Sequence, residues 1–123
     1  MLKIFVVFLG GGLGAMSRYF VATQLAGKLG NFPIGTLTVN ILGSFFIGVV
    51  TGFFMGKLNE VSEILKIFFA VGFLGGFSTL ASFSIETVNL FQSGNFFSAV
   101  LNIILTFSTG IIACAIGLAL MKN

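Results

Sequence analysis

The residues equipped for chemistry in this chain are side-chain amides and hydroxyls set inside stretches that carry almost no charge. Asn40, Thr79, Ser82, Ser84, Asn102 and Thr106 are the clearest, with Glu86 the one acid at comparable depth. In an apolar medium such a group costs free energy unless it bonds to another polar group, to water, or to a species passing through. Their chemistry is therefore to replace hydration, not to break bonds. With no His and one Cys, no metal cluster or Ser-His-Asp triad can be assembled, and no nucleophile can be paired with a base, so an enzyme is excluded. A second feature is Gly72-Phe73-Leu74-Gly75-Gly76-Phe77-Ser78-Thr79. Glycine costs about 1 kcal/mol against Ala in a helix, so the cluster predicts a break in mid-span. A broken helix exposes carbonyls and amides at depth, tolerated where they line a cavity or bind an ion. The competing reading is close glycine packing without unwinding.

Elements to carry these groups follow from composition. The chain has 123 residues and is 57% hydrophobic but only 7% charged, with a mean hydropathy of +1.16. Soluble domains carry roughly 25% charged residues, so this chain cannot cover a water-facing surface. Four long stretches are nearly free of charge: 4–27, 32–56, 67–92 and 95–121, with Arg18 and Glu86 the exceptions. Each exceeds the roughly 20 residues that cross a bilayer as a helix. Backbone groups in lipid must be satisfied internally, so helices follow. The expected fold is an all-α membrane protein, one domain over 1–123 with four transmembrane helices, a glycine-rich break in the third, and connections at 28–31, 57–66 and 93–94. Lys3 before an apolar run ending at Ala15-Met16-Ser17 has the look of a secretory signal, but apolar character resumes after Arg18. Cys114 reads as a small packing residue.

Each span also carries a ridge of small and polar residues at helical spacing: Gly10, Gly14 and Arg18; Thr36, Asn40, Ser44, Gly48 and Gly52; Gly75, Thr79, Ser82 and Glu86; Asn102, Thr106, Gly110 and Gly117. Such ridges pack against protein. Four short helices are too few to wrap a wet path, so a dimer is expected. Lys3, Lys57, Lys66 and Lys122 fall on one side of the membrane, against Lys28 and the deeper Arg18 on the other. The positive-inside rule then places both termini in the cytoplasm, on a mild bias that leaves both orientations open. The cations are dispersed, which points to membrane boundaries and away from nucleic acid.

Three groups of residues carry a family resemblance: Gly11-Gly12-Leu13-Gly14-Ala15 with Arg18, Gly35-Thr36-Leu37-Thr38-Val39-Asn40 with Gly43-Ser44, and Gly72 through Ser84 followed by Glu86. In these the chain resembles the small bacterial fluoride channels (Fluc, also called CrcB), over nearly its whole length. The resemblance implies a fluoride-selective channel of the bacterial inner membrane, passing fluoride passively out of the cytoplasm. It also implies a dual-topology, antiparallel homodimer with two pores, and a structural sodium ion (Na+) on the dimer axis. By motif position, the carbonyls of Gly75 and Ser78 would hold the sodium. Asn40 would be the pore amide, Phe83 a pore-lining ring, and Thr79, Ser82, Ser84 and Glu86 parts of a polar track. Arg18 would sit near a vestibule, and Thr106 and Asn102 are the candidates from the fourth span.

Fluoride holds its water tightly, so a pore must offer hydrogen-bond donors without a charge that traps the ion. An amide, hydroxyls and the positive edge of an aromatic ring meet that need. Leu80 departs from the pattern: the family usually has two phenylalanines three residues apart, and Leu80 stands where the first should be, with Ala81 in place of a common hydroxyl residue. That leaves an engineered substitution, a natural variant with a slower or less selective pore, or one half of a heterodimer with a paralogue; the homodimer is preferred. The rival functions are a small dimeric proton-coupled multidrug antiporter, which needs a membrane-embedded carboxylate where the first span has Arg18, and a non-transporting assembly subunit, for which glycine ridges suffice. Neither accounts for Asn40 on a stripe together with a broken third helix.

Overall fold

A computed structural model describes residues 1–122. Asn123, the end of the expected domain, and the side chain of Lys122, one of the boundary cations, lie outside what is described. The order of elements is α1 (Leu2–Leu25), α2 (Ile34–Phe54), α3 (Glu60–Lys66), a π-helical segment (Ile67–Leu74), α4 (Gly75–Phe77), α5 (Leu80–Gln92) and α6 (Phe96–Lys122). Among the described residues there is no strand. Among the described residues four helical stretches are long and apolar enough to cross a membrane, Leu2–Leu25, Ile34–Phe54, Glu60–Gln92 and Phe96–Met121. The expected spans are thus present, with ends displaced by a few residues.

The larger difference is the connection expected at 57–66. Its second part is helical, and the third span starts at Glu60 instead of Ile67. The cause is local: Asn59 caps the helix by accepting from Ser62 N at 2.8 Å, and Glu60 and Glu63 occupy the first turn, where carboxylates suit the positive end of the helix dipole. Glu63 also takes a 2.8 Å ion pair from Lys3, tying the start of α1 to this end of the molecule.

Glycines draw the helices together in two pairs. Along α1 and the third span, a Cβ on Gly10 would stand 2.6 Å from the Phe68 carbonyl oxygen, and one on Gly76 would stand 2.5 Å from that of Gly11. Along α2 and α6 the contact is reciprocal: a Cβ on Gly48 would strike the Cys114 carbonyl, and one on Gly117 the Phe45 carbonyl. This is the close backbone approach that small residues permit in a membrane, where apolar burial supplies little drive.

The glycines of the third span do not themselves leave the helix. Gly72 lies in the π-helical segment, and Gly75 and Gly76 in α4. The chain departs from helical geometry just after them, at Ser78 (φ −90°, ψ 153°) and Thr79 (φ −151°, ψ 124°), and resumes at Leu80. Gly72 and Gly76 are needed for packing on α1, Gly75 is not, and the interruption is held by polar side chains from elsewhere.

Candidate functional site

The two extended residues leave backbone groups without helical partners in the middle of an apolar span, and Asn40 meets them. Its Oδ1 accepts from Thr79 N at 2.9 Å, and its Nδ2 donates to Thr79 O at 3.3 Å. One amide thus satisfies both backbone groups of one residue, as a neighbouring strand would. Thr79 then caps α5 through its hydroxyl, which accepts from Ser82 N at 3.2 Å. On the other side, Ser78 Oγ donates to Leu74 O at 3.0 Å, and Arg18 Nε donates to Gly76 O at 3.0 Å. Arg18, expected near a vestibule, is therefore placed on the end of α4. A guanidinium on a carbonyl at the C-terminal end of a helix is favoured by charge and by the dipole.

Asn40 and Thr79 open onto a cleft of about 330 Å³ that also takes in Ser44, Ser78, Leu80, Phe83, Thr106, Phe107 and Gly110. Four elements meet there: α2, the interruption, α5 and α6. Phe83 is buried, and its ring meets that of Phe107 edge to face, with centroids 5.6 Å apart and planes at 86°. Leu80 is 68% exposed, at the open side of the cleft. Asn40 Nδ2 carries two hydrogens and Thr79 O takes one, so one donor is left for an occupant of the cleft. Amide donor, aromatic ring and hydroxyl are thus gathered at one place, with no charged side chain lining it among the described residues.

The remaining sequence-predicted residues divide. Ser82 is half-buried and packs at the start of α5, while Ser84 is exposed, and neither lines this cleft. Glu86 lines a different cavity, of about 400 Å³, bordered by Thr36, Asn89 and the 26–35 connection. There its Oε1 is buried without a hydrogen-bond partner. Gly75 and Ser78 share a third, smaller cleft of about 250 Å³ with Gly43, Ser44 and Leu74. Gly75 is exposed although it lies in mid-span.

Behind the cleft runs a chain of side chains that the sequence only half announces. Thr106 Oγ1 donates to Asn102 Oδ1 at 3.3 Å, Asn102 Nδ2 donates to Thr87 Oγ1 at 3.0 Å, and Thr87 Oγ1 donates to Phe83 O at 2.7 Å. Asn102 is 1% exposed. Thr87 was not among the candidates, because a threonine bonding its own helix four residues back is ordinary. The one available signal is its position four residues after Phe83.

Known proteins match nearly the whole chain. The family described as "CrcB-like protein, Camphor Resistance (CrcB)" matches residues 5–118. A protein of Coxiella burnetii (strain Dugway 5J108-111) named "Fluoride-specific ion channel FluC" is 38% identical over 123 residues, covering 99% of both chains. Proteins of the same name from Ruminiclostridium cellulolyticum and Azobacteroides pseudotrichonymphae are 44% and 41% identical, covering 100% and 98% of this chain and 95% and 96% of theirs.

Proposed function

The chain belongs to the CrcB-like family, which holds ion channels and not enzymes, and on that footing we propose that it is a fluoride-selective channel passing fluoride down its gradient out of the cytoplasm across the bacterial inner membrane. The observation that carries the reading is the cleft in which Asn40, Thr79, Phe83 and Thr106 converge at a depth where the surrounding chain is apolar. Fluoride entering it gives up water and gains the free amide hydrogen of Asn40 and the ring edge of Phe83. Among the described residues no cation lines the cleft, so none there holds the ion too tightly to leave. Leu80 supplies apolar wall where an aromatic edge would have served.

The working unit in this reading is an antiparallel homodimer of dual topology with two pores. One chain leaves its cleft open beside Leu80, and Gly75 bare to the outside. A mid-span glycine offers lipid only its backbone, which favours a protein neighbour. The residues at the interruption also suit a structural Na+. Ser78 is extended, the Gly75 and Ser78 carbonyls take no part in the bonds that hold the interruption, and both residues line one cleft. Hard cations prefer oxygen ligands, and among the described residues no cluster of His, Cys, Asp or Glu offers an alternative. Two carbonyls from each of two chains would hold the ion, which would pin the interruption by balancing its carbonyl dipoles.

The test is efflux from liposomes containing the purified chain, with the potential clamped by a potassium ionophore. Fluoride should leave and chloride should not; silence for both in correctly assembled protein removes the reading. Leu80→Phe should raise fluoride throughput by restoring a ring edge, and an unchanged rate would put Leu80 off the ion's route.

A further inference from the structure

The hydrogen-bond chain behind the cleft has a direction. Thr87 must donate to Phe83 O, because a carbonyl only accepts. Its oxygen therefore receives from Asn102 Nδ2, which turns Asn102 Oδ1 toward Thr106. That oxygen also only accepts, so the single hydroxyl hydrogen of Thr106 points away from the cleft and into α6. In this arrangement Thr106 presents lone pairs to the cleft, the wrong polarity for an anion. Turning the Thr106 hydroxyl alone would orphan an acceptor on a residue that is 1% exposed.

One rearrangement avoids that. If the Asn102 amide turns over, Nδ2 donates to Thr106 Oγ1, the Thr106 hydrogen is released toward the cleft, and Thr87 donates to Asn102 Oδ1 in place of Phe83 O. The Phe83 carbonyl keeps its place in the backbone ladder of α5. We propose that Asn102 and Thr87 are positioning residues whose amide-flip relay decides whether Thr106 offers a donor or lone pairs to an anion in the cleft. The inference rests on reading that cleft as a fluoride path. The side-chain bonds number three in the resting arrangement and two in the turned one, so the resting one prevails without an anion. Fluoride binding therefore carries the population cost of turning the relay.

Removing Thr87's hydroxyl removes the bond that favours the resting arrangement, leaving Asn102 one partner, Thr106, in either orientation. In liposomes, Thr87→Val should then lower the half-saturating fluoride concentration by roughly three- to tenfold, the worth of about one hydrogen bond. Thr87→Ser, which keeps the hydroxyl, should behave as the parent. In a Thr106→Val background Thr87→Val should change nothing, since no hydroxyl remains to be released. A shift that survives in that background, or a Thr87→Val protein that loses thermal stability with its fluoride dependence unmoved, overturns the relay while leaving the channel intact. Absence of fluoride flux in the parent chain overturns both. A measurement on the parent does not depend on any variant folding: the NMR signals of the Asn102 side-chain amide should move on adding fluoride, stay put with chloride, and lose the response in Thr106→Val. Signals indifferent to fluoride would sink the relay.

Discussion

At the scale of single residues, Asn40 shows how one side chain can serve structure and transport together. Both of its polar atoms are used on Thr79, so it is a clamp before it is a donor to anything else. Asn40→Ala should leave the Thr79 N–H and C=O without partners in an apolar span, at about 1–3 kcal/mol for each orphaned group. The expected result is a lower melting temperature in detergent together with lost fluoride flux. Asn40→Asp keeps the acceptor for Thr79 N and removes both amide donors, so its flux should fall further than its stability. Equal falls in the two properties would reduce Asn40 to a structural clamp. Much of this was legible in the sequence: an amide with hydroxyls four residues away on each side, in a stretch without charge, marks a place where polar groups must meet something. What the sequence does not contain is the partner. That Asn40 grips Thr79, and that Arg18 reaches Gly76, depends on which faces of α1 and α2 turn toward the third span, and ridges of small residues leave several pairings open.

At the scale of elements, the glycines sort into those that set helix spacing and those that set nothing. A Cβ on Gly48 would collide with the backbone of α6 at Cys114 and Leu118, and backbone cannot step aside as the end of a side chain can. Gly48→Ala should separate α2 from α6 and destabilise the fold by about 1–3 kcal/mol, the usual penalty of overpacking. Gly12, in α1, has nothing within 4 Å of the added atom, so Gly12→Ala should be neutral or mildly stabilising through helix propensity. Thermal unfolding of the two variants decides it, and equal behaviour would remove the close α2–α6 approach from the description. The four spans could be read from hydropathy because lipid forces long uncharged helices. Two details of the third span could not. Its start at Glu60 lies in a charged stretch that resembles a loop until Asn59 is seen to cap it. Its interruption sits at Ser78 and Thr79, after the glycines; Gly72 and Gly76 mark where the span touches α1, and only the edge of the cluster marks where the helix stops.

At the scale of the whole molecule, orientation in the membrane is the property that would decide whether the proposed dimer is made of one chain or two, and the charge bias that sets it is mild. Lys3, Lys57, Lys66 and Lys122 stand against Lys28 once Arg18 is set aside, and Arg18 is engaged inside the membrane on Gly76 instead of marking a boundary. Setting it aside makes the count more lopsided. Yet the rule counts charges near helix ends during insertion, before such bonds exist, so Arg18 still opposes the others when orientation is chosen. A bias of that size leaves both orientations open. Leu58, 93% exposed in the turn between α2 and α3, is a suitable reporter, and Cys114 can be replaced by Ala to leave one thiol. With Leu58→Cys in intact cells, an impermeant thiol reagent should label about half of the chains if orientation is mixed. Labelling of none until the membrane is opened would mean that the turn faces the cytoplasm in every copy, as the positive-inside rule alone would have it. An antiparallel pair would then need a second kind of chain running the other way. Leu29→Lys, at an exposed position in the opposite connection, should drive a mixed population toward one orientation. It should also lower flux in liposomes, because fewer oppositely directed copies remain to pair.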